Sequence, residues 1–292
     1  MSTFREVRSK ALDRKQLIME KAIELFAARG FESTSVQQIT EHCGISKGAF
    51  YLSFKSKDEL ILEIIDYFMK RFTTGVDRVV REKIDPKQKL FNLFYYLFGE
   101  FQRHSDLAKM FVRDQLHSLN EELLIKIYRY DQLMNQSILQ LLEECYGSKI
   151  QHTKYELLFN IKGLMDNYSH IIFTYQMPID VRLLSDVLVE KTNILANYSQ
   201  KVLINEIMFT NMMEKMKFHP QNVEEFIEIE IKHLLNSLTD TLELESVEIL
   251  QNELKKSNPS HAIILGMLEN MKKNNQCHWL IYLVNLKLCP NK

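Results

Sequence analysis

Residues 34–60 read TSVQQITEHCGISKGAFYLSFKSKDEL, and this stretch decides the fold. Thr34 carries a short hydroxyl suited to capping, and Gln37 three places on can reach back to its backbone N–H. The pair predicts a capping box that opens a short helix ending near His42. Gly44 tolerates the positive φ of a tight reversal, and Ile45 plugs the angle between the helices it joins. Ser46 caps a third helix running to about Ser53, with Ala49, Phe50 and Phe54 near one face and Lys47, Gly48 and Tyr51 near the other. Ser56, followed three residues later by Glu59, predicts a second capping box and a long helix whose buried stripe is Leu60, Ile64, Ile65 and Phe68. Upstream, Ile18, Ala22, Leu25 and Phe26 keep helical spacing between Asp13 and Arg29, and Gly30 closes that helix.

Two short helices joined by a glycine turn are a common packing unit, so the outward face of the third helix has to carry the argument. A recognition helix enters a major groove about 12 Å wide, and its first positions need small residues for close approach and polar tips for base edges. Ser46, Lys47, Gly48 and Ala49 meet that need. The expectation is a DNA-reading helix-turn-helix at 35–54 within a domain at 12–60.

The rest of the chain is read as helical. Only 8 Gly and 5 Pro fall among 292 residues, so turn punctuation is sparse and long helices follow. Helices are expected near 86–103, 105–117, 120–146, 153–176 and 180–200, and again near 201–217, 221–238, 243–256, 260–273 and 277–288. The expected fold class is all-α: the N-terminal three-helix domain, a larger helical ligand-binding and dimerisation domain at 61–200, and extra C-terminal helices at 201–292.

Charge and composition narrow the function. Residues 1–57 carry a net +4 and the remainder −5, so the basic end is where phosphates would bind. Cys43, Cys145, Cys277 and Cys289 show no CxxC and no histidine at ligand spacing, which argues against zinc and against a disulfide framework. No apolar run approaches about 18 residues and the first residues lack a signal-peptide core, so a cytoplasmic protein without membrane contact is expected. There is no Ser/His/Asp order, no phosphate-binding glycine loop and no metal-ligand cluster; no enzyme, cofactor or metal is expected. Paired carboxylates such as Glu143 and Glu144 read as a solvated helix face.

The quoted run resembles the DNA-binding domain of the TetR/AcrR repressors, with the resemblance strong over 13–70. Its marks are Gly44-Ile45-Ser46-Lys47-Gly48 at the turn, Tyr51 and Phe54 at the end of the third helix, and Lys57 before Leu60. The resemblance implies that Thr34 and Ser35 bond phosphate, that Ser46, Lys47, Gly48 and Ala49 face base edges or the adjacent backbone, that Tyr51 donates its hydroxyl to a phosphate, and that Lys57 holds another. Two positions depart from the common pattern: Ser53 stands where many relatives have His before the Phe, and Cys43 replaces Ala.

The same resemblance implies a ligand cavity and a dimer interface in the later helices. Candidate wall residues are Phe94, Phe98, Phe111, Tyr128, Phe159, Tyr168 and His170, suited to a lipophilic effector with a polar handle. Thirteen Met beside 17 Phe and 12 Tyr give the soft surface of an adaptable pocket. The segments near 153–176 and 180–200 are the expected dimer helices, which makes the operator an inverted repeat in double-stranded DNA. The leading expectation is a repressor released by an apolar effector; the alternative is a DNA-bound adaptor that recruits a partner through 201–292.

Overall fold

The computed structural model describes residues 2–106, 121–175, 177–215 and 223–288. Among these there are 13 α-helices and no strand. No helix among the described residues is long and apolar enough to cross a membrane. By contacts the chain divides into Ala11–Phe218 and a second unit made of Met1–Lys10 with His219–Lys292.

The first unit is built from α1 (Ser2–Arg29) from Ala11 onward, α2 (Val36–Cys43), α3 (Lys47–Tyr51), α4 (Lys57–Arg81), α5 (Pro86–Arg103), α6 (Glu121–Tyr146), α7 (Lys154–Tyr175), α8 (Val181–Tyr198) and α9 (Glu206–Lys215). The helix starts follow local chemistry. Asp85 accepts from the Lys87 N–H at 2.8 Å, with Pro86 at a position where no N–H is needed, and Asp180 accepts from the N–H groups of Arg182 and Leu183. Gly147, at φ 55°, turns the chain out of α6 into a 3-10 turn at Gly147–Ile150.

One apolar core runs from Ile18 in α1 to Ala196 in α8, with Phe26, Phe50, Phe54 and Phe94 fully buried in it. The four residues expected to face inward from α1 and the four expected from α4 all lie in it. Within it α6 lies along α4 and α8 along α5. By area alone, each large side chain taken fully from water contributes about 1.5–3 kcal/mol, so this stripe and not helix propensity holds the bundle together.

Two polar features fasten α4 to α5. The Glu100 carboxylate is 1% exposed and is met by Arg71 Nε at 2.7 Å, by Arg103, and by the more distant His104. Burial pushes this carboxyl up, but the Arg71 hydrogen bond and the charges of Arg71, Arg103 and His104 outweigh it and hold it below the usual carboxylate range. The backbone carbonyl of the same Arg71 accepts from the Tyr96 hydroxyl of α5 at 3.0 Å. The Tyr96 ring lies where only a glycine leaves room, since a Cβ on Gly75 would come within 2.0 Å of it.

After α8 the chain turns back on itself. The Glu156 carboxylate accepts from the backbone N–H groups of Leu203 and Ile204, and Phe209 of α9 stacks on Tyr155 of α7 with ring centroids 4.5 Å apart. α9, which the sequence reading assigned to the extension, therefore packs with the first unit.

The second unit holds α10 (Val223–Ser237), α11 (Thr241–Leu254), α12 (His261–Met271) and α13 (His278–Leu288). α11 pairs with α12 and α10 with α13, around Leu234, Val247, Leu250, Ile264, Leu280 and Leu283. The nearly buried Glu253 accepts from the Ser260 N–H at 2.7 Å and from Lys256, which closes the loop between α11 and α12. Burial pushes the Cys277 thiol up to about 12, so it packs as a small apolar group.

Candidate nucleic-acid interface

The start of α2 corrects the capping expected from sequence. Its cap is Ser35, not Thr34: the Gln38 N–H donates to Ser35 Oγ at 3.2 Å and the Ser35 N–H donates to Gln38 Oε1 at 2.8 Å. Thr34 is 1% exposed, and its hydroxyl donates inward to the Gly30 carbonyl at 2.8 Å. Of the two hydroxyls implied for phosphate, only that of Ser35 stands at the surface.

The turn closes as a Schellman arrangement. Gly44 takes φ 67°, the Gly44 N–H donates to the Glu41 carbonyl, and the Ile45 N–H donates to the Thr40 carbonyl at 3.0 Å. The space around a Gly44 Cβ is empty, so the backbone conformation alone requires glycine here. Ser46 caps α3 by accepting from the Ala49 N–H at 3.1 Å. α3 is five residues long and two-sided: Phe50 is buried, while Ser46, Lys47 and Gly48 are exposed and Ala49 is half-buried. Tyr51 is 54% exposed, with its ring edge-on to Phe50, and Leu52 beside it is 83% exposed. Ser53 is half-buried and turns its hydroxyl back toward the Ala49 carbonyl at 3.4 Å.

At α4 the Glu59 N–H donates to Ser56 Oγ at 3.0 Å as expected, but the Glu59 carboxylate accepts from the Lys55 N–H and not from Ser56, so the reciprocal half of the box is displaced by one residue. Lys57 departs further from its implied role. Its ammonium donates to the Phe31 carbonyl at 2.8 Å and lies 4.2 Å from the centre of the Phe31 ring. It ties the head of α4 to the loop before α2.

Sequence reasoning placed Gln37 in a cap and missed its partner, for it accepts from Lys47 Nζ at 3.3 Å. Its exposed position on α2, one turn before Glu41, was the signal available. Cys43 is half-buried, and burial pushes its thiol up, which suits packing and not thiolate chemistry.

The candidate effector residues are dispersed. Phe94 and Phe98 are buried in the core, Tyr168 packs half-buried against it, Phe159 of α7 meets Phe209 of α9, and Tyr128 and His170 are exposed. Phe111 lies outside the described residues. A separate shallow groove of about 380 Å³ follows one face of α8, along Asp186, Glu190, Ile194 and Tyr198.

Residues 18–64 match the family model of bacterial regulatory proteins, tetR family. Two HTH-type transcriptional regulators of Bacillus subtilis are similar along nearly the whole chain: YerO is 26% identical over 90% of this chain and 91% of its own, and YuxN is 28% identical over 90% and 93%. Among solved structures, a TetR-like transcriptional regulator from Rhodococcus has the same fold at a TM-score of 0.54 and 20% identity, covering 64% of this chain and 97% of its own. The head thus matches the tetR family of bacterial regulatory proteins over residues 18–64, and the chain is similar along nearly its whole length to HTH-type transcriptional regulators.

Proposed function

We propose that this chain is a dimeric, cytoplasmic repressor that reads an inverted-repeat operator with α3 and leaves it when an apolar small molecule enters the body. The observation that carries the reading is the division of α3: Phe50 is turned wholly into the core while Ser46, Lys47, Gly48 and Tyr51 stand outward. An exposed helix face of small and polar residues next to a phenol fits a groove floor flanked by phosphates. Ser35 and Ala49 stand at its edge. Thr34, Ser53 and Lys57 act by fastening the head, since each spends its polar group on a backbone carbonyl.

For the dimer, the outer side of the hairpin α7–α8 supports pairing about a two-fold axis. Leu183, Ile194 and Tyr198 of α8 are exposed there, the last two along its groove. Symmetry then places two α3 helices about 34–36 Å apart on one side of the duplex. The effector is received among the aromatic side chains of α5 to α7, and it releases the operator only insofar as it prefers one of two conformers. No observation favours the adaptor reading.

The test is a gel-shift titration of the purified protein on its own upstream DNA, repeated with lipophilic cations, acyl-CoAs and detergents. Tight binding released by one class supports the repressor and names its effector. Binding that no class releases overturns the effector half, and absence of any sequence-selective binding overturns the reading head.

A further inference from the structure

Lys47 opens α3 on its exposed side, and its ammonium has a partner on α2. Lys47 Nζ donates to Gln37 Oε1 at 3.3 Å, and Gln37 Nε2 donates in turn to the Glu41 carboxylate at 2.9 Å. Gln37 and Glu41 are one turn apart on α2, so the chain of bonds runs along α2 and crosses to the first residue of α3. Chemistry fixes its direction. An ammonium only donates and a carboxylate only accepts, which leaves the amide oxygen toward Lys47 and the amide nitrogen toward Glu41. All three side chains are exposed, and contacts of that kind add little to stability. Their effect falls on where the Lys47 charge is held.

We propose that Gln37 is a positioning residue for DNA recognition: it holds the Lys47 ammonium in place over α3, so that α2 helps to choose the base edge or phosphate that Lys47 meets. The inference rests on the DNA-binding reading above. A lysine ammonium is a compact charge on a flexible stem and selects weakly among acceptors by itself. Fixing it before binding lowers the ordering cost of the contact and makes the choice of acceptor a matter of geometry. Glu41 completes the arrangement by occupying the amide nitrogen, which would otherwise be free to read an adenine directly.

The experiment is site selection from a random duplex pool by the full-length chain, for wild type, Gln37→Met, Lys47→Ala and the double variant, with thermal unfolding of each. Methionine keeps the length and helix propensity of glutamine but offers only a weak acceptor. The expected result is that Gln37→Met blurs the same base positions as Lys47→Ala, and that each lowers affinity for the enriched duplex by about fivefold or more without moving the unfolding midpoint. The double variant should bind no more weakly than Lys47→Ala alone. Losses that multiply in the double variant overturn the proposal, because Gln37 then acts on DNA by itself. So does a Gln37→Met chain that selects as wild type does, or a loss that follows a lowered unfolding midpoint. A wild-type chain that enriches no sequence removes the DNA reading, and this inference with it.

Discussion

The reading head and the body of this chain obey different rules. In the head, four helix boundaries fall within about thirty residues, and each is set locally: Ser35, Ser46 and Ser56 accept from a backbone N–H three residues on, and Gly44 ends α2 through its positive φ and its own backbone N–H. The outward-facing residues are contiguous with those boundaries, so motif and proposed site coincide. In the body, helices of 18 to 26 residues meet through side chains distant in sequence, as when Lys89 Nζ joins Glu144 at 2.7 Å. There the pattern of apolar residues tells which side of a helix is buried but not what it is buried against.

The comparison breaks first if the core beneath α3 is removed. Phe50→Ala should cost about 3–5 kcal/mol by emptying a fully buried aromatic site, and should abolish DNA binding by unfolding the head. Circular dichroism melts alongside gel shifts check this; a variant that still binds DNA would mean that α3 does not depend on its core. Next is the α4–α5 fastening. Glu100→Gln removes the charge that Arg71 and Arg103 share and should cost about 2 kcal/mol in urea unfolding. Because the Glu100 carboxyl is held below its ordinary value, the stability it supplies is complete above the unfolded value of about 4.3 and is lost as pH falls through the lower folded one. The wild type should therefore lose stability more steeply than the variant below about pH 4.

A smaller effect separates contact from support. Tyr51→Ala should weaken operator binding about tenfold by loss of one charge-assisted bond, with the dimer and the unfolding midpoint unchanged. Thr34→Val should do the reverse. It should lower the midpoint by an amount equivalent to about 1 kcal/mol, for the lost bond to Gly30, and leave operator affinity where it was. Sedimentation and gel shift on both variants decide the matter, and a Thr34→Val chain that folds normally yet binds weakly would restore Thr34 to the phosphate contacts.

Those two variants also mark where the sequence was legible. The order of the helices through α4, the glycine turn, the Ser46 cap and the buried sides of α1, α3 and α4 follow from spacing within a few residues, and they appear as read; the helix expected near 105–117 lies almost wholly outside the described residues. The cap of α2 was read one residue early, at Thr34, because Thr34 and Ser35 are both good caps and adjacent. The choice falls to Ser35 because Thr34 is buried, its hydroxyl returned to Gly30. Lys57 looked like a phosphate ligand at a helix start, but its partner Phe31 lies 26 residues earlier, and nothing local announces such a bond. In the body, aromatic residues at helical spacing were abundant, and spacing could not sort Phe94, which fills the core, from Phe159, which meets α9.

The fold match and the sequence matches end at different places. The Rhodococcus structure accounts for 64% of this chain, whereas the similarity to YerO and YuxN runs along 90% of it, so the sequence matches reach residues that the fold match does not.

The strap that Glu156 pins at Leu203 and Ile204 has a geometric consequence for assembly. With Phe209 of α9 lying on Tyr155, the first two turns of α7 already have an intramolecular neighbour and cannot also receive a partner helix along that surface. The outer side of α7 that remains begins near Gly163, an exposed helical glycine whose Cβ would meet nothing within 4 Å. In the dimer proposed above, the chain thus sets the length of its own docking edge, so two copies have fewer registers in which to meet and fewer spacings at which to present a pair of α3 helices to DNA.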